Sequence, residues 1–232
     1  MKRSEINGLM REAVEFFREQ GFHLPPFAFW SPEEWRRKGH EADEIRDNRL
    51  GWDVTDFGSG DFRRVGLLLF TLRNGNIYDP RYRKPYAEKV LVVGPGQVTP
   101  WHYHKSKMED IIVRGGGRLV MELALKAPDG GLSDEPLKVS VDGVLRELPP
   151  RGRVVLEPGE SITVEQEVYH TFYGEEGGGK VLVGEVSSVN DDATDNFFLE
   201  PVGRFPEIEE DEPPLYLLCT EYPPAREISR SS

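Results

Sequence analysis

The stretch Gly96-Gln97-Val98-Thr99-Pro100-Trp101-His102-Tyr103-His104-Lys105-Ser106-Lys107-Met108-Glu109, closed by Gly115-Gly116-Gly117, decides the fold. His102 and His104 are two residues apart, and because side chains alternate along a strand they project from the same face. Glu109 follows five residues later and returns across a turn to meet them. These three residues are candidate ligands of one metal ion. The mixed set of imidazole and carboxylate suits manganese, iron, cobalt, nickel or zinc and does not distinguish among them.

The spacing of these residues is more specific than their types. Glycine, five residues, His-x-His, four residues, glutamate, six residues and glycine is the first signature of the cupin barrels, and it runs unbroken from Gly96 to Gly116. A His-x-His pair alone is as often two exposed residues of an edge strand, so the weight comes from the complete pattern. We therefore predict an all-β chain, a cupin jelly-roll β-barrel with an N-terminal helical extension.

His170 is the candidate for a fourth metal ligand, because it is the remaining histidine of the strand region. His23 and His40 lie in the N-terminal extension and are expected to be structural or exposed. The second cupin signature usually carries Pro-x-Gly before its histidine and an asparagine after it, whereas this chain has Glu165-Gln166-Glu167 and Gly174. The departure indicates a divergent branch of cupins, and a hydrogen-bonded core histidine is the alternative reading of His170.

The strand region begins near Val65, where the apolar pattern changes from helical to strand-like. Before it, Ser4 and Gly21 are expected to begin and end one helix, and Ser31-Pro32-Glu33-Glu34 predicts a capping box at the start of another. The first strand is expected to end at an Asn74-Gly75 turn. The predicted strands are residues 65–72, 89–93, 110–114, 119–125, 138–141, 144–148, 153–156, 161–165, 170–173 and 180–187. Many short strands without intervening helices predict a sandwich or barrel, whose interior suits one metal and one small ligand.

The length of 232 residues favours a single cupin domain. We expect residues 1–64 to form a helical and aromatic extension, residues 65–222 the barrel with a C-terminal packing segment, and residues 223–232 a tail that is frayed from Arg226. The acidic run from Glu207 to Glu212 is expected to be a solvated face.

The formal charge of −12 argues against binding to nucleic acid or to a membrane surface, because phosphates would be repelled. No apolar run approaches the roughly 20 residues of a membrane span. The single cysteine, Cys219, cannot form an internal disulfide and is expected to be a small core residue, which agrees with a reducing compartment. We therefore expect a cytoplasmic protein.

Four motifs carry a closer resemblance. They are Thr99-Pro100-Trp101-His102-Tyr103-His104, Met108-Glu109-Asp110-Ile111-Ile112 with Arg114-Gly115-Gly116-Gly117, Val186-Ser187-Ser188-Val189-Asn190-Asp191-Asp192, and Ile208-Glu209-Glu210-Asp211-Glu212. On these residues the chain resembles the D-lyxose isomerase family of cupins, from the first helix through about Tyr222. The resemblance implies an aldose–ketose isomerase that interconverts D-lyxose with D-xylulose, and often D-mannose with D-fructose. It also implies manganese (Mn2+) as the usual metal and a homodimer as the usual assembly.

The isomerase chemistry requires proton removal beside a carbonyl and stabilisation of charge at oxygen. The resemblance implies Glu200 as the base, and Lys107, expected at the mouth of the pocket, as its acid partner. The expected substrate contacts are Lys89, Trp101, Asp192 and Arg204. A lysine or glutamate near a loop is more often simply solvated, and aspartate favours turns for local reasons. A hydride shift is a rival to proton transfer that the sequence leaves open.

Other functions remain consistent with the same ligands. Three histidines and a glutamate also serve an iron dioxygenase, and a phosphosugar isomerase uses a related barrel. A phosphosugar enzyme needs clustered cations, whereas the motif offers only Lys105, Lys107 and Arg114 with Ser106. A non-catalytic sugar-binding cupin, whose metal only holds a ligand, is the rival from a different class.

Overall fold

The computed structural model describes residues 1–226. The helices among them are α1 (Arg3–Glu19), α2 (Pro32–Arg37) and α3 (Asp43–Asp47), with short 3-10 helices at Pro26–Phe29 and His40–Ala42. The strands are β1 (Gly51–Thr55), β2 (Leu67–Arg73), β3 (Tyr86–Val93), β4 (Thr99–His104), β5 (Glu109–Gly116), β6 (Leu119–Leu125), β7 (Leu137–Val141), β8 (Val144–Leu148), β9 (Gly152–Leu156), β10 (Ser161–Val164), β11 (Val168–Gly174), β12 (Val181–Ser188) and β13 (Asn196–Phe198). Within these residues, no helix is both long and apolar enough to cross a membrane.

The strands form two antiparallel sheets. One has the order β1-β2-β3-β12-β5-β10-β7-β8, and the other has the order β13-β4-β11-β6-β9. Neighbours in both sheets are often distant in sequence, as they are in a double-sheet jelly roll. This arrangement confirms the predicted all-β cupin barrel with helices at its N-terminal end.

Besides β13, which was not predicted, two features of the strand pattern differ from the prediction. β1 lies inside residues 1–64, where only helical and aromatic structure was expected, and every one of its residues is buried. The strand signal was present, because the apolar Trp52 and Val54 alternate with Asp53 and Thr55, although the polar residues are buried as well. The expected Asn74-Gly75 turn is instead the start of a connection over residues 74–85, because the side chain of Asn74 donates to the carbonyl oxygens of Asn48 and Asn190 and holds the chain there.

α1 begins differently from the prediction. Its N-cap is Lys2, without a side-chain cap, and the hydroxyl and backbone N–H of Ser4 both donate to the carboxylate of Asp211, at 2.6 and 2.8 Å. The free N–H groups of a first helical turn need acceptors, and here a distant acidic segment supplies one. Part of the acidic run therefore has a structural role although it is solvated as expected: the buried Arg3 donates to Glu210 at 2.6 Å, and the side chain of Glu210 is 58% exposed.

Other terminal signals are confirmed. Gly21 adopts a φ of +67° just after α1, in the left-handed region that glycine favours. The Ser31 and Glu34 capping box is present, with hydrogen bonds of 3.2 and 2.8 Å. The chain was expected to fray from Arg226, but the N–H of Arg226 donates to the carbonyl oxygen of Lys38. The rest of that end, residues 227–232, lies outside the described residues.

The barrel has two apolar cores. The inner core fills the space between the sheets, and the outer core lies between α1 and the outer face of β1, β2 and β3. Along β12 the inner positions change from Val183 to Glu185, and along the neighbouring β3 they change from Leu91 to Lys89. One half of the interior is therefore aliphatic, and the other half is charged and surrounds the histidines.

Candidate active site

Three histidines converge inside the barrel. β4 carries His102 and His104, and β11 carries His170 directly opposite His102 in the antiparallel register. One ring nitrogen of each lies within 4.8 Å of the others, and all three residues are buried. The structure thus brings together the three imidazoles that the sequence selected across a separation of some sixty-six to sixty-eight residues.

Backbone carbonyls fix the orientation of two of these rings. Nδ1 of His102 lies 2.8 Å from the carbonyl oxygen of Pro100, and Nδ1 of His170 lies 3.1 Å from that of Val168. Because a carbonyl only accepts, each Nδ1 carries the proton and each Nε2 presents a lone pair to the interior. Burial, followed by the nearby charge of the other histidines, lowers the pKa of His102 well below its ordinary value, so this ligand is neutral.

Glu109 lies against the same nitrogens. Its Oε1 is 3.1 Å from Nε2 of His170 and 3.4 Å from Nε2 of His104. Nε2 of His170 has no hydrogen-bond donor or acceptor partner among residues 1–226, so two lone pairs face each other across 3.1 Å. A cation between them removes this repulsion, and the donor set of imidazole and carboxylate suits a divalent transition metal. The residues therefore fit the metal that the sequence pattern implies.

Lys107 is buried within the barrel, whereas the sequence placed it at the mouth of the pocket. Its Nζ lies 2.6 Å from Oε2 of Glu109 and 2.8 Å from Oε1 of Glu185. Burial alone would lower the pKa of Lys107, but the two carboxylates outweigh burial and raise it above its ordinary value. The same ammonium outweighs the effect of burial on Glu109 and holds the pKa of that carboxyl well below its usual range. Compensation by two carboxylates is what allows the cation to lie inside.

Charges of alternating sign continue from Lys107 across the interior. Glu185 is 3.3 Å from Lys89, which is 3.8 Å from Asp192. Arg204 then lies 3.3 Å from Asp192 and 2.6 Å from Asp53. We name this series the charge chain; in order its members are Glu109, Lys107, Glu185, Lys89, Asp192, Arg204 and Asp53. Each cation is thus held between two carboxylates.

The structure brings most of the predicted site residues to one cavity. Lys89, Lys107, Asp192 and Arg204 line it together with His102, His104 and Glu109, whereas His170 is not among its lining residues. Glu200 is exposed and Trp101 is half-buried, and neither is among the residues of the described chain that line this cavity. These two expected roles are not explained by the placement of the side chains.

Several residues of the site were missed by sequence reasoning. Glu185 is a charged residue at an inward position of an otherwise apolar strand, and that contrast was the available signal. Asp195 is buried, and its carboxylate accepts the backbone N–H groups of Ser106 and Lys107 at 2.7 and 3.0 Å, which fixes the loop between the ligands. No local pattern marks Asp195, because its partners lie far away along the chain.

Aromatic rings close another side of the cavity. Phe198 lies 5.5 Å from the ring of His102 and 5.7 Å from the ring of Phe57, between ring centroids. Phe57 has a φ of +52°, which is uncommon for a bulky residue, and its N–H donates to Oγ1 of Thr55 while its carbonyl accepts from Gly203. These hydrogen bonds hold the turn, and the ring of Phe57 packs against Phe198 at the cavity wall.

Known proteins resemble this chain over most of its length. The family model described as D-lyxose isomerase matches residues 1–222. A D-lyxose/D-mannose isomerase of Serratia proteamaculans is 49% identical over 96% of this chain and 98% of its own length. A protein of the same description from Escherichia coli O157:H7 is 48% identical over 96% of this chain and 98% of its own length.

Solved structures support the fold. The crystal structure of the L-ribose isomerase of Cellulomonas parahominis with L-ribose has a TM-score of 0.60 at 18% identity, over 90% of this chain and 98% of that one. At this identity the likeness concerns the fold alone. The match to the family model and the two close relatives confirm the resemblance found in the motifs: the chain belongs to the D-lyxose isomerase family of aldose–ketose sugar isomerases.

Proposed function

We propose that this protein is a metal-dependent isomerase that interconverts D-lyxose and D-xylulose, and also D-mannose and D-fructose. The observation that carries the proposal is the convergence of His102, His104, His170 and Glu109 beside the buried Lys107 and Glu185. The names of the two close relatives support the choice of sugars. A single cupin domain, on the chain length, a homodimer, on the family resemblance, and a cytoplasmic location, on the single cysteine and the lack of a long apolar run, belong to the same proposal.

The metal would be held by the three histidines and Glu109. A divalent cation at this position supplies positive charge that stabilises negative charge developing on the sugar oxygens. We propose Mn2+ on the family resemblance, while the ligand set suits Co2+, Fe2+, Ni2+ and Zn2+ as well. Lys107 keeps its proton, since two carboxylates raise its pKa, and its role is to donate a hydrogen bond to a sugar oxygen.

The proton transfer needs a carboxylate that reaches the sugar carbons. In the forward reaction a base takes the proton from C2 of the open-chain aldose and returns it to C1, while the O2 proton passes to O1, through an enediol. A base must lie within hydrogen-bond reach of the proton it takes. Glu185 lies inside the cavity beside Lys107, whereas Glu200 is exposed. We therefore propose Glu185 as the base and keep Glu200 as the alternative.

Matched substitutions separate these two glutamates. Glu185→Gln and Glu200→Gln make the same chemical change, one inside the cavity and one outside it. We expect Glu185→Gln to keep its metal, measured by elemental analysis, and to lose a factor of roughly 100 to 10,000 in kcat, whereas Glu200→Gln stays within about threefold of the parent protein. The opposite result would assign the base to Glu200.

A sugar panel tests the overall proposal. The protein loaded with Mn2+ is incubated with D-lyxose, D-mannose and other free pentoses and hexoses, and ketose formation is measured. We expect D-xylulose from D-lyxose and no product after treatment with a chelator. Absence of ketose from every sugar of the panel would refute an isomerase, and oxygen consumption would indicate a dioxygenase instead.

Isotope transfer distinguishes the two routes for hydrogen. With D-lyxose deuterated at C2, transfer through a carboxylate allows exchange with solvent, so part of the label is expected to be lost from the ketose. Complete retention at C1 would favour a hydride shift. A phosphosugar substrate is disfavoured because Lys89, Lys107 and Arg204, the cations of the cavity wall among residues 1–226, are each paired with carboxylates.

A further inference from the structure

Thr99 carries a buried hydroxyl without a partner. The residue is only 3% exposed, and Oγ1 makes no hydrogen bond within residues 1–226. Most buried polar side-chain atoms in native proteins are hydrogen-bonded, so an exception calls for a functional explanation. Thr99 lines the same cavity as His102 and His104, and the neighbouring charged groups of the charge chain are already paired with one another.

A β-bulge places Thr99 on the cavity side of β4. β4 pairs with β11 so that His102 faces His170 and Thr99 faces Phe172. Between these two pairs β4 advances by three residues and β11 by only two, so β4 contains one extra residue. Strict alternation would place Thr99 on the face opposite His102, but the extra residue reverses the alternation. The bulge contains Pro100, which has no N–H to lose from the ladder.

The same bulge serves the metal site. The carbonyl oxygen of Pro100 accepts from Nδ1 of His102 and so orients that ring. The carbonyl oxygen of Thr99 accepts a hydrogen bond of 2.6 Å from the hydroxyl of Thr171. This bond fixes the backbone of Thr99, which carries Oγ1. The hydroxyl of Thr99 is therefore held rigidly while remaining uncommitted, which is the arrangement that a ligand contact requires.

We propose that Oγ1 of Thr99 binds a hydroxyl of the substrate and helps to determine which free sugar is accepted. This inference rests on the proposed function and names a contact that the predicted site residues did not include. A threonine hydroxyl both donates and accepts, so it matches a sugar hydroxyl in either sense. Because the oxygens on C1 and C2 are needed beside the metal ligands and Lys107, the contacted hydroxyl lies on a more remote carbon.

Two isosteric variants provide the test, with opposite expectations. Thr99→Val removes a hydroxyl that has no protein partner, so the Tm should not fall, whereas kcat/KM for D-lyxose should fall roughly tenfold. Thr163→Val removes a hydroxyl that donates to Asp110 at 2.6 Å outside the cavity, so the Tm should fall while kcat/KM stays within about threefold. Thr99→Ser keeps a hydroxyl and should restore most of the lost kcat/KM.

Deoxy analogues identify the contacted position. With lyxose lacking the O3, O4 or O5 hydroxyl in turn, the difference between the parent protein and Thr99→Val should disappear for one analogue, because the contact is then missing in both proteins. An equal loss with every analogue would overturn a specific contact, as would a Thr99→Val variant with parental kcat/KM. Metal content is measured in each sample, so that a change in loading is recognised.

Binding of a non-reacting polyol keeps this inference separate from the proposed reaction. D-arabinitol is the product of reducing D-lyxose and cannot be isomerised. We expect calorimetry to give a Kd for D-arabinitol about tenfold weaker with Thr99→Val than with the parent protein. Equal affinities, or no binding to either protein, would overturn the role of Thr99, while failure of the sugar panel alone would refute only the isomerase.

Discussion

Replacing Arg204 by methionine should destabilise the fold strongly, although the residue was first selected as a sugar contact. Its guanidinium is bidentate to Asp53, at 2.6 and 3.3 Å, and lies 3.3 Å from Asp192. Arg204 and Asp53 expose only 12% and 7% of their side chains. Methionine replaces the apolar stem of the arginine but leaves the carboxylates of the buried Asp53 and the half-buried Asp192 without this cation.

The size of the effect follows from burial. Removing one partner of a buried ion pair costs about 3 to 5 kcal/mol, because the remaining charge stays desolvated. For a chain of this length each kcal/mol shifts the Tm by roughly 2 to 4 °C, so Arg204→Met should lower the Tm by about 10 °C. An exposed pair is worth only about 0 to 1 kcal/mol. Arg151, which pairs with Asp134 at 3.3 Å and is 55% exposed, is the matched control.

Urea unfolding of the metal-free proteins measures the difference. We expect Arg151→Met to lose less than about 1 kcal/mol in the free energy of unfolding, and Arg204→Met to lose about 4 kcal/mol. If Arg204→Met is no less stable than Arg151→Met, the reasoning from the buried ion pair is wrong, and Arg204 is free to act as a sugar contact.

The pH dependence provides a second measurement on the same variants. Burial alone would raise the pKa of Asp192, but Lys89 and Arg204 outweigh it and hold that pKa well below its ordinary value. A carboxyl with a depressed folded pKa stabilises the fold above about pH 4, and this contribution is lost as the pH falls further. The stability difference between the parent protein and Arg204→Met should therefore narrow from pH 5 to pH 3. A difference that is constant over this range would contradict the assignment to Asp192.

Two further substitutions test the positions around the metal. His170→Ala removes one imidazole of the converging three and should weaken metal retention by several orders of magnitude, measured by competition with a chromogenic chelator; unchanged retention would remove His170 from the ligand set. Asp195→Asn weakens the hydrogen bonds from the backbone of Ser106 and Lys107, so we expect kcat to fall several-fold with little change in KM or metal content, and a loss confined to the Tm would indicate a purely structural role.

Much of the architecture is readable from local pattern. Alternation and turn residues predicted ten strands within one or two residues of most of their observed bounds, and residues 119–125 and 144–148 agree at both ends. The spacing of His102, His104 and Glu109 predicted that these ligands meet, because a short turn joins β4 of one sheet to β5 of the other, so that their side chains face each other across the interior. The motifs also predicted the family.

Only the tertiary structure determined which charged side chains pair inside the barrel and which residues face the cavity. Arg204 and Asp53 meet across 151 residues, and the alternation along β1, which carries Asp53, does not reveal which side chain pairs with that carboxylate. Lys107 lies inside because Glu185 reaches it from a strand 78 residues away. Thr99 faces the cavity through a bulge that reverses its alternation. Side-chain periodicity is a property of a single strand, whereas the register, the bulges and the pairing of buried charges depend on which strands become neighbours, and only the folded chain determines that.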